Sequence, residues 1–249
     1  MIKVEGISVR AETRHQLKQD KFSRATIGAA EATVHWTVEH QSKLIVAAIA
    51  ALVLIAIATG GWYYLSQQDA KASADLGQAV RTMDAPVVPA GTPAEPGVLT
   101  FSSSKERATA ARKQLQSIVE KYPHTHSADF ARYFLGLTAA ELADNPVAES
   151  DLQKVASSSN GDLSALAKLA LASLYRSTNR NQQAIDLYHQ LIAKPTLTVG
   201  KTTAQLELAA TYQASQQPLD AKRTYEQIQK ENPATEVAQI ATQKLQALK

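Results

Sequence analysis

LALASLYRSTNRNQQAIDLYHQLIAKP, residues Leu169–Pro195, and LELAATYQASQQPLDAKRTYEQIQKENP, residues Leu206–Pro233, can be laid over one another. In each, a Leu-Ala pair (Leu171-Ala172 and Leu208-Ala209) is followed three positions on by a tyrosine, Tyr175 or Tyr212. Twelve residues after the small residue comes another, Ala184 or Ala221. A tyrosine follows at four positions (Tyr188, Tyr225) and an aliphatic residue at three more (Leu191, Ile228). Steps of three and four place these residues on one helix face. Towards the N-terminus, Ala111 and Ala148 extend the series, so that Ala111, Ala148, Ala184 and Ala221 are 37, 36 and 37 residues apart. Leu115 and Leu152 stand where the later units have tyrosine, Ile118 and Val155 follow them, and Leu135, Gly136 and Ala139 precede the Ala148 unit. A fixed period of this size marks a stack of helical hairpins. Small residues let the two helices of a hairpin approach, and the large ones fill the gap to the next hairpin.

The prolines give the same register. Pro123, Pro146, Pro195, Pro218 and Pro233 fall just after a second helix or at its start, where a missing N–H costs little. The first unit reads as split: Asp69–Met83 is its first helix, with Leu76, Gly77 and Val80 in the repeat slots, and Lys105–Lys121 is its second. Thr235–Leu248 reads as a capping helix over the last apolar face. The repeat domain is therefore set at residues 104–249, and the fold class is all-α. Composition agrees: 43 alanines against 10 glycines favour helix and leave little material for phosphate-cradling loops.

A mean hydropathy of −0.21 conceals unlike regions. Leu44–Leu65 (LIVAAIAALVLIAIATGGWYYL) carries no charge and spans about 33 Å as a helix, the thickness of a bilayer core. Trp62, Tyr63 and Tyr64 sit at one end, as interfacial aromatics do, and Lys43 at the other. A cleaved signal peptide needs a shorter apolar run nearer the N-terminus, so residues 44–65 read as an uncleaved transmembrane helix. Residues 1–43 hold seven Lys/Arg and residues 66–85 hold two, which puts the N-terminus in the cytoplasm. Phe22, Thr26, Ala29, Thr33, Trp36 and His40 recur at helical steps, predicting an amphipathic helix from about Glu12 within that cytosolic segment. Residues 66–84 continue the helix out of the membrane. Residues 85–103, with four prolines, form a loop or spacer.

The hairpin pattern, L-G/A-x-x-Y then A-x-x-x-Y/L-x-x-I/L then proline, resembles the tetratricopeptide (TPR) repeat. With the basic segment (RHQLKQDKF, WTVEHQSK) and the span ending in GWYY, nearly the whole chain resembles the bacterial ancillary Sec-translocon subunit family. The resemblance implies a single-pass inner-membrane protein with a periplasmic repeat domain. Such a domain associates with the secretory translocon and a membrane-anchored folding factor, and aids exported polypeptides. Units of 36 or 37 residues and the proline insertion depart from the plain repeat. The stretch EKYPHTHSADFARYFLG is also similar to tetratricopeptide proteins of envelope maintenance and cell-division coordination, which supports a second reading as a structural adaptor.

Chemistry is sparse. The absence of cysteine excludes thiolate catalysis, disulfides and Cys-based metal sites. A net charge of +3, from 26 basic and 23 acidic residues, comes with no basic stripe interleaved with aromatics, so nucleic acid is not an expected partner. His124 and His126 at a connector lack the further ligands a metal needs. No nucleophile elbow, P-loop, dinucleotide fingerprint or zincin motif is present. No cofactor, metal or catalytic residue is assigned, and the chain reads as a binding module. First helices of such hairpins line a concave groove. Positions two, five, nine and twelve of each give Phe130, Tyr133, Leu137 and Ala140; Leu166, Leu169, Ser173 and Arg176; Thr203, Leu206, Ala210 and Gln213. Of these, Phe130, Tyr133, Leu137, Leu166, Leu169, Arg176, Leu206 and Gln213 are the candidate partner-binding residues. The wall suits an extended apolar or partly unfolded segment and lacks the basic clamp for a peptide carboxylate. Phe130, Tyr133 and Leu169 could equally be ordinary packing residues.

Overall fold

The computed structural model describes residues 41–88 and 97–248. The amphipathic helix expected from Glu12, the cytosolic segment before residue 41 and the middle of the proline stretch lie outside the described residues. Among the described residues all regular structure is helical: α1 (Gln41–Met83), α2 (Ser104–Lys121), α3 (His126–Glu141), α4 (Asn145–Ala156), α5 (Gly161–Ser177), α6 (Asn181–Ala193), α7 (Lys201–Ala214), α8 (Pro218–Glu231) and α9 (Glu236–Gln246). The chain divides into two units, Met1–Tyr63 and Tyr64–Lys249.

In the first unit, the described part of α1 is apolar and outward-facing. Ile45, Val46, Leu52, Leu54 and Ile57 are all more than half exposed. Its most apolar window has a mean hydropathy of 2.4 with nothing buried, which is long and apolar enough to cross a membrane.

The second unit is a stack of hairpins in which each helix from α2 onward packs on its chain neighbours, and α3 also meets α5. The repeat positions account for the packing. Ala111, Ala148, Ala184 and Ala221 are fully buried, as are Leu115, Leu152, Tyr188 and Tyr225, with Ile118, Val155, Leu191 and Ile228 behind them. Each large side chain of this set stabilises the fold by about 1.5–3 kcal/mol through burial. They form three clusters. One joins Ala72 and Ala79 of α1 to Leu115, Ile118, Ala131 and Leu135. The central one runs from Ala139 to Leu208, and the last joins Ala209, Ala221, Tyr225 and Ile228 to Ala241 of α9. At Gly136 the helices of a hairpin come so close that a Cβ there would lie 2.6 Å from Leu152 Cγ. Gly77, in the corresponding slot of the split unit, has nothing within 4 Å of its Cβ position. The small buried contacts of that helix are Ala72 and Ala79 instead.

The turn inside each of the three hairpins α3–α4, α5–α6 and α7–α8 is the same. Ala143, Asn179 and Gln216 adopt φ of 60°, 58° and 57°. The following N–H groups, of Asp144, Arg180 and Gln217, each donate at 2.8 Å to the carbonyl five residues back. The left-handed residues themselves donate to Ala140, Arg176 and Gln213, completing the Schellman pattern that satisfies the last carbonyls of a helix. Three of the later connectors end in side-chain caps, where Thr125, Asn160 and Thr235 accept from the N–H groups of Ala128, Leu163 and Ala238, whereas the one before α7 ends in Gly200 without one. Asp69 of α1 accepts from the Ser127 N–H at 2.9 Å, satisfying a second donor at the start of α3. The proline stretch is pinned at its base, where Val88 donates to Phe101 O at 2.9 Å and Phe101 to Pro86 O at 3.1 Å.

Candidate functional site

The eight candidate residues sit on the first helices: Phe130, Tyr133 and Leu137 on α3, Leu166, Leu169 and Arg176 on α5, Leu206 and Gln213 on α7. Repetition places them at matching positions, since each first helix turns its Leu-Gly/Ala face inward to its partner and the opposite side outward. Exposure differs along the series. Phe130, the fifth residue of α3, is 37% exposed. Tyr133, Leu166 and Leu169 are half-buried and pack on the central cluster, and Leu206 packs on the last one. Leu137 is half-buried and belongs to no cluster core. The Tyr133 ring lies 5.4 Å from that of Phe134, tilted by 56°, an arrangement favourable for aromatic pairs. Burial pushes the Tyr133 hydroxyl pKa up, so it remains a neutral donor.

The polar end of the wall is already paired. Arg176 Nη1 lies 2.8 Å from Glu207 Oε2, tying the end of α5 to α7. Gln213 accepts from the Tyr225 hydroxyl at 2.9 Å. Close to the ion pair, Tyr188 is fully buried and its hydroxyl has no partner in hydrogen-bond geometry. The nearby Thr211 hydroxyl donates to Glu207 O at 2.7 Å. Burial raises the Tyr188 pKa to about 12, with Arg176 opposing and Glu207 adding to the shift. Between α6 and α7, His189 Nε2 and the Tyr212 hydroxyl are 3.2 Å apart.

Sequence reasoning missed Glu207, the residue that neutralises Arg176. Its position immediately after Leu206 was visible, but only the stacking of successive hairpins brings the two charges, 31 residues apart, together. His124 and His126 are exposed and flank Thr125, whose hydroxyl caps α3. Among the described residues no group of three His, Asp or Glu is placed to hold a metal ion. The wall thus combines half-exposed apolar side chains with one internal ion pair.

The model of the tetratricopeptide repeat-like domain family matches residues 34–190, more than half of the chain, and that of the tetratricopeptide repeat matches residues 203–235. Neither is an enzymatic family. No curated protein and no solved structure matches the chain.

Proposed function

The chain belongs to the tetratricopeptide repeat-like domain family, and on that premise we propose that it is a non-enzymatic, membrane-anchored protein-interaction module whose first-helix groove holds extended apolar or partly unfolded segments. Its working place is the secretory translocon of a bacterial inner membrane, with the N-terminus in the cytoplasm and the repeat domain in the periplasm. There it serves as a scaffold or chaperone-like factor for exported polypeptides beside a membrane-anchored folding factor. The observation that carries the reading is the run of half-exposed apolar side chains, Phe130, Tyr133, Leu137, Leu166, Leu169 and Leu206, on three successive first helices. Support for the location comes from the seven Lys/Arg before the apolar window and from the resemblance to the translocon-associated family.

Photo-crosslinkers at Phe130 and Leu137 test the groove in cells, with Leu219 of α8, 70% exposed, as the control. The expected result is capture of translocon subunits or exported chains at the first two positions and not at the third. Equal capture at all three, or none, refutes the groove reading. One observation favours the structural adaptor of envelope assembly or division instead: Val87, Val98 and Leu99 are exposed around the pinned base of the proline stretch. Excising residues 89–96 separates the two, because an adaptor using that segment loses its partner while the groove crosslinks persist.

A further inference from the structure

Away from the groove, a cavity of about 390 Å³ opens where the connector after α4, the first two turns of α5 and the end of α6 meet. Ser157, Ser158 and Ser159 line it from the connector, Lys168 from α5, and Lys194 and Thr196 from the end of α6. Two lysines and a set of serine and threonine residues therefore line one concavity whose lining contains no Asp or Glu. Carboxylates on the surrounding elements are engaged elsewhere. Asp162 takes the hydroxyl and N–H of Thr198, Asp151 takes Arg132 and Lys154, and Glu149 takes Arg180. Neither Lys168 nor Lys194 has an ion-pair partner among the described residues, and Lys168 is half-buried. Two cations on one concavity without a counter-charge repel each other, and an incoming anion relieves that repulsion.

We propose that this cavity binds the carboxylates of an acidic segment on a protein partner. The volume, on the order of ten water molecules, exceeds what one small oxyanion fills and admits a side chain with adjoining backbone. Serine hydroxyls serve the peptide groups, and the two lysines serve the charge as point donors. The site lies at the edge of the hairpin stack and does not depend on the groove.

The full chain in detergent micelles is titrated with fluorescein-labelled hexaglutamate and, separately, hexaglutamine. Hexaglutamate binds, and hexaglutamine binds at least about tenfold more weakly. Lys168→Gln and the exposed Lys194→Gln each weaken hexaglutamate by about tenfold, the scale of a charged hydrogen bond. Lys230→Gln on α8, an exposed lysine away from the cavity, leaves it unchanged, with unaltered melting as the check on folding. Equal binding of both peptides, or an equal loss in Lys230→Gln, overturns the proposal. So does full displacement by inorganic phosphate at matched ionic strength, which marks the cavity as a site for a free anion only.

Discussion

Replacing Gly136 by alanine tests the close approach that the repeat register demands. In an unobstructed helix the change stabilises by about 1 kcal/mol, because glycine loses more backbone freedom on folding. At Gly136 the new Cβ lies 2.6 Å from Leu152 Cγ, 2.9 Å from its Cδ2 and 3.4 Å from Ala148 O. Leu152 is 1% exposed and meets the new Cβ through its branch carbon as well as a methyl, so overpacking of about 1–3 kcal/mol opposes the gain. Gly136→Ala therefore lies between about 0 and 2 kcal/mol destabilising. Gly77→Ala is the matched control, with the same atoms added to a helix where nothing lies within 4 Å, and it is expected to stabilise by about 1 kcal/mol. The difference between the variants is the steric contribution alone. For a chain of this size it separates their melting temperatures by about 2–12 °C, read from the helical circular dichroism of the full chain in detergent. Leu152→Ala costs about 2–5 kcal/mol alone. Combined with Gly136→Ala it costs less than the sum of the two, since the clash has gone. Equal stabilisation by Gly136→Ala and Gly77→Ala would show that no close approach exists at Gly136.

Ala143→Gly relieves a left-handed residue that costs about 1–2 kcal/mol, against about 0.4–1 kcal/mol of extra unfolded-state freedom, so a net gain of about 0.5–1 kcal/mol is expected in denaturant titration. Asn179→Gly gains less, because asparagine tolerates that region. Tyr188→Phe removes a buried, unpartnered hydroxyl and raises stability by about 1 kcal/mol near neutral pH. Its folded pKa of about 12 lies above the ordinary 10, so the wild type loses stability as pH rises from 10 to 12 and the variant escapes that contribution. Glu231 is held down to about 2 by hydrogen bonds from Lys201 first, then Gln227 and Gln205, so its contribution is present above pH 4.5 and lost as pH falls towards 2. Glu231→Gln costs no more than about 1 kcal/mol at neutral pH, since the pair is partly solvated, and flattens the acid limb of the melting profile.

What the sequence disclosed about the fold is what packing imprints on residue size. Ala111, Ala148, Ala184 and Ala221 had to be small because a helix crosses there, and Leu115, Leu152, Tyr188 and Tyr225 had to be large because a gap follows. Size at a crossing is a property of single positions, so one sequence suffices to read it. Gly77 shows the limit: it fills a small-residue slot, yet the crossing in that unit falls on Ala72 and Ala79. Pairwise polar contacts were illegible for another reason. Asp69 meets the Ser127 N–H 58 residues away, and Glu207 meets Arg176 across 31, and nothing in either residue's type names its partner. The helix assignments of the eight candidate residues follow from the register. Their degree of burial does not, because Leu166, Leu169 and Leu206 look out from the stack and into it at once.

The hairpin turns carry this distinction furthest. A left-handed residue after a helix ordinarily announces itself as glycine, and the 10 glycines of this chain include none at residues 143, 179 or 216. Yet Ala143, Asn179 and Gln216 adopt the same φ and donate the same bonds. Local preference cannot explain this, because alanine and glutamine disfavour that conformation. The second helix of each hairpin must impose the closure: Ala148, Ala184 and Ala221 each lie five residues beyond the strained position and are fully buried against the preceding helix. Burial of that face and of the large residue four positions on, about 1.5–3 kcal/mol for the latter, exceeds the strain of one left-handed residue. The turn is therefore a consequence of the helix crossing, and the alanine series that betrays the crossing also encodes the turn.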